Sequence, residues 1–184
     1  MIKSSLDELA KIEDIEVTWR SFELRPQGAP PAPEEYRTRV AAAWPRTQQT
    51  AQEHFNTEMK THRWGINSRL ALEGAKFAEE QGLGEAYHQA MFKAHFIEDR
   101  DFGDLQILGD LAQEIGLDRA EFITAIESGS YAEKVDADVA QARAYGINGV
   151  PATLIQGKYF VSGAQPLIAL QDIVRQVKER EEQD

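Results

Sequence analysis

Apolar and polar residues alternate between Ile15 and Leu24, close to the start of the chain, with one interruption at Arg20-Ser21. A period of two residues, with β-branched and aromatic side chains, is typical of a half-buried strand. Four prolines within residues 26–33 end this pattern, because proline cannot donate to a strand ladder. Just upstream, Ser5 and Glu8 have the spacing of a capping box, which predicts that a short helix starts there.

The middle of the chain follows a helical period instead. An Ala-rich amphipathic stretch covers residues 34–60, with a possible break at Pro45, and a loop is expected around Trp64–Ile66. Glycines or a turn separate the helical patterns that follow. These patterns predict helices over about 67–81, Glu85–Phe96, Asp104–Ile115, Arg119–Glu127 and Tyr131–Tyr145.

Strand patterns return near the C-terminus. The pattern predicts a short buried strand over Ala152–Gln156 and its partner over Tyr159–Ser162. Gly157-Lys158 is the predicted two-residue turn between them. A last amphipathic helix is predicted over Leu167–Glu179. This end of the chain is therefore expected to be a β-hairpin followed by a helix.

The order of these elements predicts the fold class. Strand patterns occur only at the two ends of the chain, so they are expected to meet in one sheet, with the helices inserted between them. The sequence thus predicts an α/β fold in which residues 1–33 and 146–184 form one domain. Residues 34–145 form the inserted helical domain.

Composition narrows the function. The 184 residues include 31 acidic and 20 basic ones, for a net charge of -11, which disfavours nucleic acid and anionic membrane surfaces as partners. There is no cysteine, so this chain offers no disulfide, thiolate metal site or cysteine nucleophile. We see no secretory signal and no apolar run of the roughly 18–20 residues that a bilayer needs, and we expect a cytoplasmic protein.

Metal-binding patterns are weak, and we expect no metal site. The chain has four histidines: His54, His62, His88 and His95. The last two are seven residues apart on one predicted helix, but no carboxylate completes a metal-ligand pattern. Residues 99–104 faintly suggest a calcium loop, yet its glycine is one position early and Asp110 stands where glutamate is required. An N-cap for the next helix is the better interpretation.

A family resemblance rests mainly on two adjoining stretches. Gly146–Ile155 contains Gly149-Val150-Pro151, and Tyr159–Pro166 ends in Gly-Ala-Gln-Pro. Together with the helical block they resemble the thioredoxin-fold oxidoreductases of the DsbA superfamily. The FrnE-type proteins look like the closest branch, with the 2-hydroxychromene-2-carboxylate isomerases as relatives. Further matching stretches are Val17–Leu24, residues 67–82, His88–Phe96 and the turn at 116–118.

The resemblance implies a thioredoxin-like fold with a large helical insertion, and thiol–disulfide exchange on protein substrates. It also implies a cis peptide bond before Pro151, with the N–H and C=O of Val150 facing outward to pair with an extended peptide. Gly149, Val150 and Pro151 are therefore the candidate substrate-binding residues. Taken alone, Pro151 favours a trans proline that opens a strand, and the surrounding match is what favours the cis bond.

The sequence departs from this family at its redox motif. The family has a first strand and a Cys-x-x-Cys at the start of the first helix, whereas this chain is expected to begin inside that helix. We therefore assign no catalytic residue and expect the chain to be redox-inactive. The alternatives are a glutathione-dependent isomerase or transferase and a non-catalytic peptide-binding remnant. Expected partners are protein or peptide thiol substrates or glutathione, and a homodimer that covers exposed sheet edges.

Overall fold

The computed structural model describes residues 1–26, 28–60 and 65–183. The predictions at His62 and Trp64 lie outside these residues. Within them the protein is mainly helical, with one two-stranded antiparallel sheet, and no helix is both long and apolar enough to cross a bilayer. The elements are α1 (Ile2–Ile12), α2 (Glu34–Phe55), α3 (Arg69–Glu80), α4 (Gly84–Lys93), α5 (Leu105–Glu114), α6 (Arg119–Glu127), α7 (Ala132–Ala144), β1 (Ala152–Ile155), β2 (Tyr159–Ser162) and α8 (Leu167–Glu181).

Helix α1 begins earlier than the sequence predicts. Met1 is its N-terminal flanking residue, and the Ser4 hydroxyl donates to the Met1 carbonyl over 2.7 Å. Ser5 is buried inside the helix, so the capping-box interpretation is wrong. Leu6 and Leu9 are buried on one face of the helix, so this apolar face packs inward.

The predicted strand at Ile15–Leu24 is not a strand in the structure. Side chains from Ile15 to Arg20 alternate between partly buried and exposed, as a strand would require. However, among the described residues no backbone hydrogen bond involves residues 16–18. A strand needs a neighbour to complete its ladder, and this extended segment has none. The side-chain pattern was therefore predicted correctly, and the pairing was not.

Two helical predictions also differ from the structure. Helix α2 runs through Pro45 without a break, and burial of Ala51 and Phe55 after the proline stabilises that continuation. Helix α4 ends at Lys93 and continues as a π-helical segment, Ala94–Glu98. By contrast, Asp104 accepts hydrogen bonds from the first backbone amides of α5, which confirms the predicted N-cap.

The hairpin is confirmed, but its turn lies one residue earlier than expected. Ile155 is paired with Tyr159, and the Lys158 amide donates to the Ile155 carbonyl over 3.1 Å. The central turn residues are Gln156 and Gly157, with φ of 52° and 69°. Positive φ at both central positions is the geometry that matches the twist of paired strands, and it excludes Gly157-Lys158 as the central pair.

Contacts between residues divide the chain into two compact units. The helical unit contains residues 20–44 and 59–148, and the terminal unit contains residues 1–19, 45–58 and 149–184. The predicted domain boundaries, at residues 33 and 146, stay a prediction.

Each unit has its own buried cluster. In the helical unit, the rings of Phe77 and Phe122 meet edge to face, 5.5 Å apart, beside buried Tyr87. Gly74 is required there, because a Cβ on it would lie 2.3 Å from the Tyr87 hydroxyl oxygen. In the terminal unit the cluster has fewer buried residues: Leu6, Leu9, Leu170 and Val174, with Ile15, Val17 and Trp19 packed against them.

Candidate functional site

The loop Gly149–Pro151 leads directly into β1. Its Val150–Pro151 peptide bond is cis, and Val150 is 56% exposed although it is an apolar residue. No other atom lies within 4 Å of a Cβ built on Gly149, so the backbone is open at this point too. The three residues proposed from the sequence therefore form one accessible stretch of chain at the start of the sheet.

The backbone of β1 has one edge without a partner strand. The Gly163 amide donates to the Pro151 carbonyl over 2.9 Å, so this pair is hydrogen-bonded. Since alternate residues of an antiparallel strand turn to opposite sides, Thr153 and Ile155 also face β2. The N–H and C=O groups of Ala152 and Leu154 then point away from β2, to an edge where the described residues place no third strand.

The two faces of the hairpin differ. The Tyr159 hydroxyl donates to Glu181 Oε1 over 3.1 Å, and Lys158 Nζ pairs with the same oxygen over 3.0 Å. These contacts direct the face that carries Tyr159 toward α8. Leu154 and Phe160 are cross-strand partners on the other face, and Phe160 is 54% exposed. The hairpin thus presents an apolar face beside its unpaired edge.

The contacts with α8 also shift the ionisation of the residues involved. Desolvation raises the pKa of the Tyr159 hydroxyl, and its hydrogen bond to Glu181 raises it further. The hydrogen bonds that Glu181 accepts from Lys158 and Tyr159 lower the pKa of that carboxyl group. Both shifts favour, at neutral pH, the neutral hydroxyl and the charged carboxylate that this hydrogen bond joins.

The other candidates from the sequence have structural roles. The His95 ring lies 4.4 Å from the Phe96 ring and 4.9 Å from the Phe102 ring, centroid to centroid, in an aromatic cluster. The faint calcium loop is a turn in which Asp101 accepts from the Gly103 amide over 3.0 Å. In the part of the chain that the structure describes, no group of three acidic or histidine side chains converges on a possible metal position.

Sequence reasoning missed a buried charge cluster around Asp138 of α7. This carboxylate accepts from the Ser21 amide over 2.8 Å and pairs with Lys76 Nζ, 2.8 Å away, and with Arg20 Nη1, 3.2 Å away. Burial alone would raise the pKa of Asp138, but the hydrogen bonds from Lys76 and Ser21 outweigh burial and lower it. Its partners are too distant in sequence for any local pattern to reveal the cluster.

A second group of charges lies around Arg69, at the start of α3. The guanidinium contacts Glu73 over 2.6 Å, Asp136 over 2.6 Å and Glu23 over 3.2 Å. The hydrogen bond that Arg69 donates to Asp136 raises the pKa of Arg69, against the effect of burial. With the Asp138 cluster, these pairs attach residues 20–23 to α3 and α7. All of these charges are paired, so the arrangement stabilises the fold and offers no free catalytic group.

Comparison with known proteins assigns the family. Residues 1–175 match the model of the DSBA-like thioredoxin domain. The chain belongs to this family. The α/β prediction with a thioredoxin-like fold and a helical insertion is therefore confirmed, and so is the resemblance to DsbA-like proteins.

Individual relatives of this DsbA-like chain agree with that assignment. It is 35% identical over 131 residues to the uncharacterized protein YwbO of Bacillus subtilis (strain 168), and the match covers 70% of this chain and 66% of that protein. The crystal structure of the probable DsbA oxidoreductase SCO1869 from Streptomyces coelicolor superposes with a TM-score of 0.82 at 28% identity, covering 95% of this chain and 82% of the other.

A third relative shows the fold alone. The structure of a 2-hydroxychromene-2-carboxylate isomerase superposes on this DsbA-like chain with a TM-score of 0.80, over 99% of this chain and 91% of the other, at 17% identity. Both branches named from the sequence, the oxidoreductases and the isomerases, are thus represented among the structural neighbours. The 184-residue sequence nevertheless contains no cysteine with which to perform thiol chemistry.

Proposed function

We propose that this chain is a FrnE-type, DsbA-like protein that binds extended segments of protein substrates at Gly149–Val150–Pro151 and performs no thiol–disulfide exchange by itself. The observation that carries the proposal is the exposed Val150, which stands directly before β1 and beside Gly149, where the space around the backbone is open. Membership of the DsbA-like family supports protein as the proposed class of substrate.

Backbone pairing is the mode of recognition that this site supports. A peptide that adds to a sheet edge gains hydrogen bonds to main-chain groups, and its own sequence matters little to those bonds. Val150 offers both a donor and an acceptor in an accessible loop. Neighbouring Gly149 lacks a side chain that would obstruct the approach, which supports the same mode of binding.

The redox part of the family's chemistry needs a group that this chain lacks. Thiol–disulfide exchange proceeds by attack of a thiolate on a disulfide sulfur, and no thiolate is available from a chain without cysteine. We therefore expect no reduction of insulin by this chain above a buffer blank. Measurable insulin reduction would contradict this half of the proposal directly.

Binding can be tested with a reduced and alkylated protein, which is an unfolded substrate without reactive thiols. We expect the chain to bind it, and Val150→Pro to weaken binding by about tenfold, because proline removes the N–H donor at the start of the edge. Val150→Ala is the matched control, since it keeps the donor. Absence of binding by the unsubstituted chain, or equal binding by Val150→Pro with an unchanged circular dichroism spectrum, would overturn the proposal.

A glutathione-dependent isomerase or transferase is the second candidate function. The extensive superposition on the isomerase structure supports it at the level of fold. In that case the backbone of Val150 would pair with glutathione, itself a short peptide. Calorimetric titration with glutathione separates the two candidates: saturable heat would favour the second, and binding of unfolded protein without any response to glutathione favours the first.

A further inference from the structure

Asn148 and Gly149 lie in the short connection between α7 and β1. Asn148 is exposed. Within the described ranges, neither the backbone of residues 148–150 nor the side chain of Asn148 takes part in a hydrogen bond. The hydrogen bonds resume on either side, where the Ile147 amide donates over 2.9 Å and the Pro151 carbonyl accepts over 2.9 Å. The Asn148–Gly149 peptide can therefore change its conformation without loss of a described hydrogen bond.

We propose that Asn148 is a site of spontaneous deamidation in the folded protein, and that its product weakens binding at the adjoining Gly149–Val150–Pro151. The second half of this inference rests on the proposed function. The first half does not, because the reaction involves only two residues that are joined by a peptide bond.

The chain itself supplies both the nucleophile and the leaving group of the reaction. The Gly149 amide nitrogen gives up its proton to hydroxide and attacks the side-chain carbonyl carbon of Asn148. A carbon–nitrogen bond forms, the side-chain nitrogen takes up a proton and leaves as ammonia, and a succinimide ring closes. Water then opens the ring on either side, which gives aspartate or isoaspartate. Glycine favours ring closure because it has no Cβ to restrict the backbone or obstruct the attack.

Asn148 differs from the two other asparagines of the chain, Asn56 and Asn67, in hydrogen bonding and not in exposure. All three residues are exposed. After Asn56 the amide that would attack is that of Thr57, and it donates to a carbonyl of α2 over 3.0 Å. The side chain of Asn67 is held in place, since its Oδ1 accepts from the Arg69 amide over 2.8 Å. Folding therefore hinders the reaction at Asn56 and Asn67 and leaves it open at Asn148.

The product changes the loop in both length and charge. Isoaspartate carries the main chain through its side-chain methylene group, which lengthens the backbone immediately before Gly149. Its carboxylate also adds a negative charge to a stretch that has no acidic residue between Asp138 and Asp172. The main chain then enters Val150 from a different direction, so we expect weaker pairing of its N–H and C=O with a bound segment.

Ageing of the folded protein at mildly alkaline pH, followed by peptide mapping with mass spectrometry, tests the first half. We expect Asn148 to deamidate about tenfold faster than Asn56 or Asn67, with isoaspartate detected by isoaspartyl methyltransferase labelling. In urea the hydrogen bonds at Asn56 and Asn67 are lost, so both are expected to react faster, while the rate at Asn148 changes little. A folded-state rate at Asn148 no higher than at Asn67, or an equal acceleration of all three in urea, overturns the inference.

Gly149→Ala tests whether the backbone of Gly149 takes part in the reaction. The variant is expected to slow deamidation at Asn148 about tenfold and to leave the rate at Asn67 unchanged. A Cβ built on Gly149 meets no other atom within 4 Å, so the substitution fits the folded chain. An unchanged rate at Asn148 in this variant contradicts attack by the Gly149 amide.

Binding of the reduced and alkylated protein tests the second half, with Asn148→Gln as the matched control. Glutamine would have to close a larger ring, so this variant is expected to age without conversion. We expect both proteins to bind equally before ageing, and only the unsubstituted protein to lose affinity, several-fold, after it. Equal binding by the two aged proteins, with conversion at Asn148 shown by mapping, overturns the second half. Absence of binding before ageing overturns the proposed function and this half with it, whereas the mapping alone decides the first half.

Discussion

The helical unit and the terminal unit satisfy their polar backbone groups in different ways. The helices of the first enclose a cluster of fully buried side chains that includes Tyr87, Leu108 and Phe122. The second has a smaller cluster around Leu9 and Leu170, and its extended residues 16–18 make no backbone hydrogen bond among the described residues. Glu16 and Thr18 are exposed, so solvent can satisfy their backbone groups. Among the described residues, the terminal unit is therefore the part of the molecule in which an extended segment lies outside any ladder.

The charge clusters show how a segment can be held without a ladder. At residues 20–23, which belong to the helical unit, the Asp138 carboxylate accepts a hydrogen bond from the Ser21 amide, and Arg69 binds Glu23. A carboxylate that accepts a hydrogen bond from a backbone amide replaces one hydrogen bond of a β-ladder, and its charge strengthens that bond. The two units thus use different physical means on consecutive parts of the same extended segment.

Hydrogen exchange gives the largest expected difference between the units. Amides in closed helices exchange only through large openings, whereas an amide without a hydrogen bond exchanges almost freely. We expect the opening free energy at Phe77 in α3 to exceed that at Val17 by about 5 kcal/mol or more, which is the scale of global stability. Amide exchange followed by NMR provides the measurement.

The hairpin contains the control for that experiment. Thr153 faces β2 and Leu154 faces the unpaired edge, so the amide of Thr153 is expected to be the more protected of these neighbours. Strong protection at Val17 and Leu154 together would mean that both edges have partners in solution. In that case the two units would no longer differ in how fully their backbone groups are hydrogen-bonded.

Truncation of the aromatic core is expected to have the next largest effect. Phe122 is fully buried and contacts the rings of Phe77 and Tyr87, so Phe122→Ala is expected to lower the free energy of unfolding by about 3–5 kcal/mol. The matched control is Phe92→Ala, at a residue that is 40% exposed and stacks on Phe96. Chemical denaturation measures both. Equal losses would contradict the burial of Phe122 in the core of the helical unit.

The sequence predicts what depends on local patterns and fails where distant residues meet. The helix boundaries of α6, Arg119–Glu127, follow from an Asp118 cap and helical periodicity, both of which are local. The ladder expected at Ile15–Leu24 needed a partner strand, and the Ser21–Asp138 contact joins residues 117 positions apart. The exposed Val150 could be placed through family resemblance, but the unpaired edge at Ala152 and Leu154 became visible only from the hairpin register.

Removal of the Asp138 charge is expected to lower the free energy of unfolding by less than removal of the Phe122 ring. Asp138→Asn keeps an acceptor for the Ser21 amide but leaves buried Lys76 with Glu79 as its remaining carboxylate, 3.1 Å away. We expect a loss of about 2–3 kcal/mol in the free energy of unfolding. Asp136→Asn, two residues earlier on the same helix, removes an exposed carboxylate and is expected to cost much less. Equal effects would show that burial does not distinguish the two pairs.

The pH dependence of that loss has a definite sign. The pKa of Asp138 is lowered in the folded protein from its ordinary value of 3.8, so the contribution of its charge to the free energy of unfolding is complete above that pH. This contribution is lost as the pH falls below 3.8 and through the lower pKa of Asp138 in the folded protein. The stability gap between the unsubstituted protein and Asp138→Asn is therefore expected to narrow on acidification in this range. A gap that stays constant down to pH 2 would contradict this account.

The smallest expected change in the free energy of unfolding comes from removal of the Tyr87 hydroxyl. Whether stability rises or falls is the informative result. This hydroxyl is buried without a hydrogen-bond partner among the described residues, and burial raises its pKa. Tyr87→Phe removes a polar group that has lost its water, so we expect unchanged or higher stability, by up to about 1 kcal/mol. In Tyr131→Phe, by contrast, a hydrogen bond of 2.7 Å to Glu80 is lost, and stability is expected to fall by about 0.5–1.5 kcal/mol. If Tyr87→Phe were the more damaging of the two, the hydroxyl would have a partner, and the interior of the helical unit would be less closed than its packing indicates.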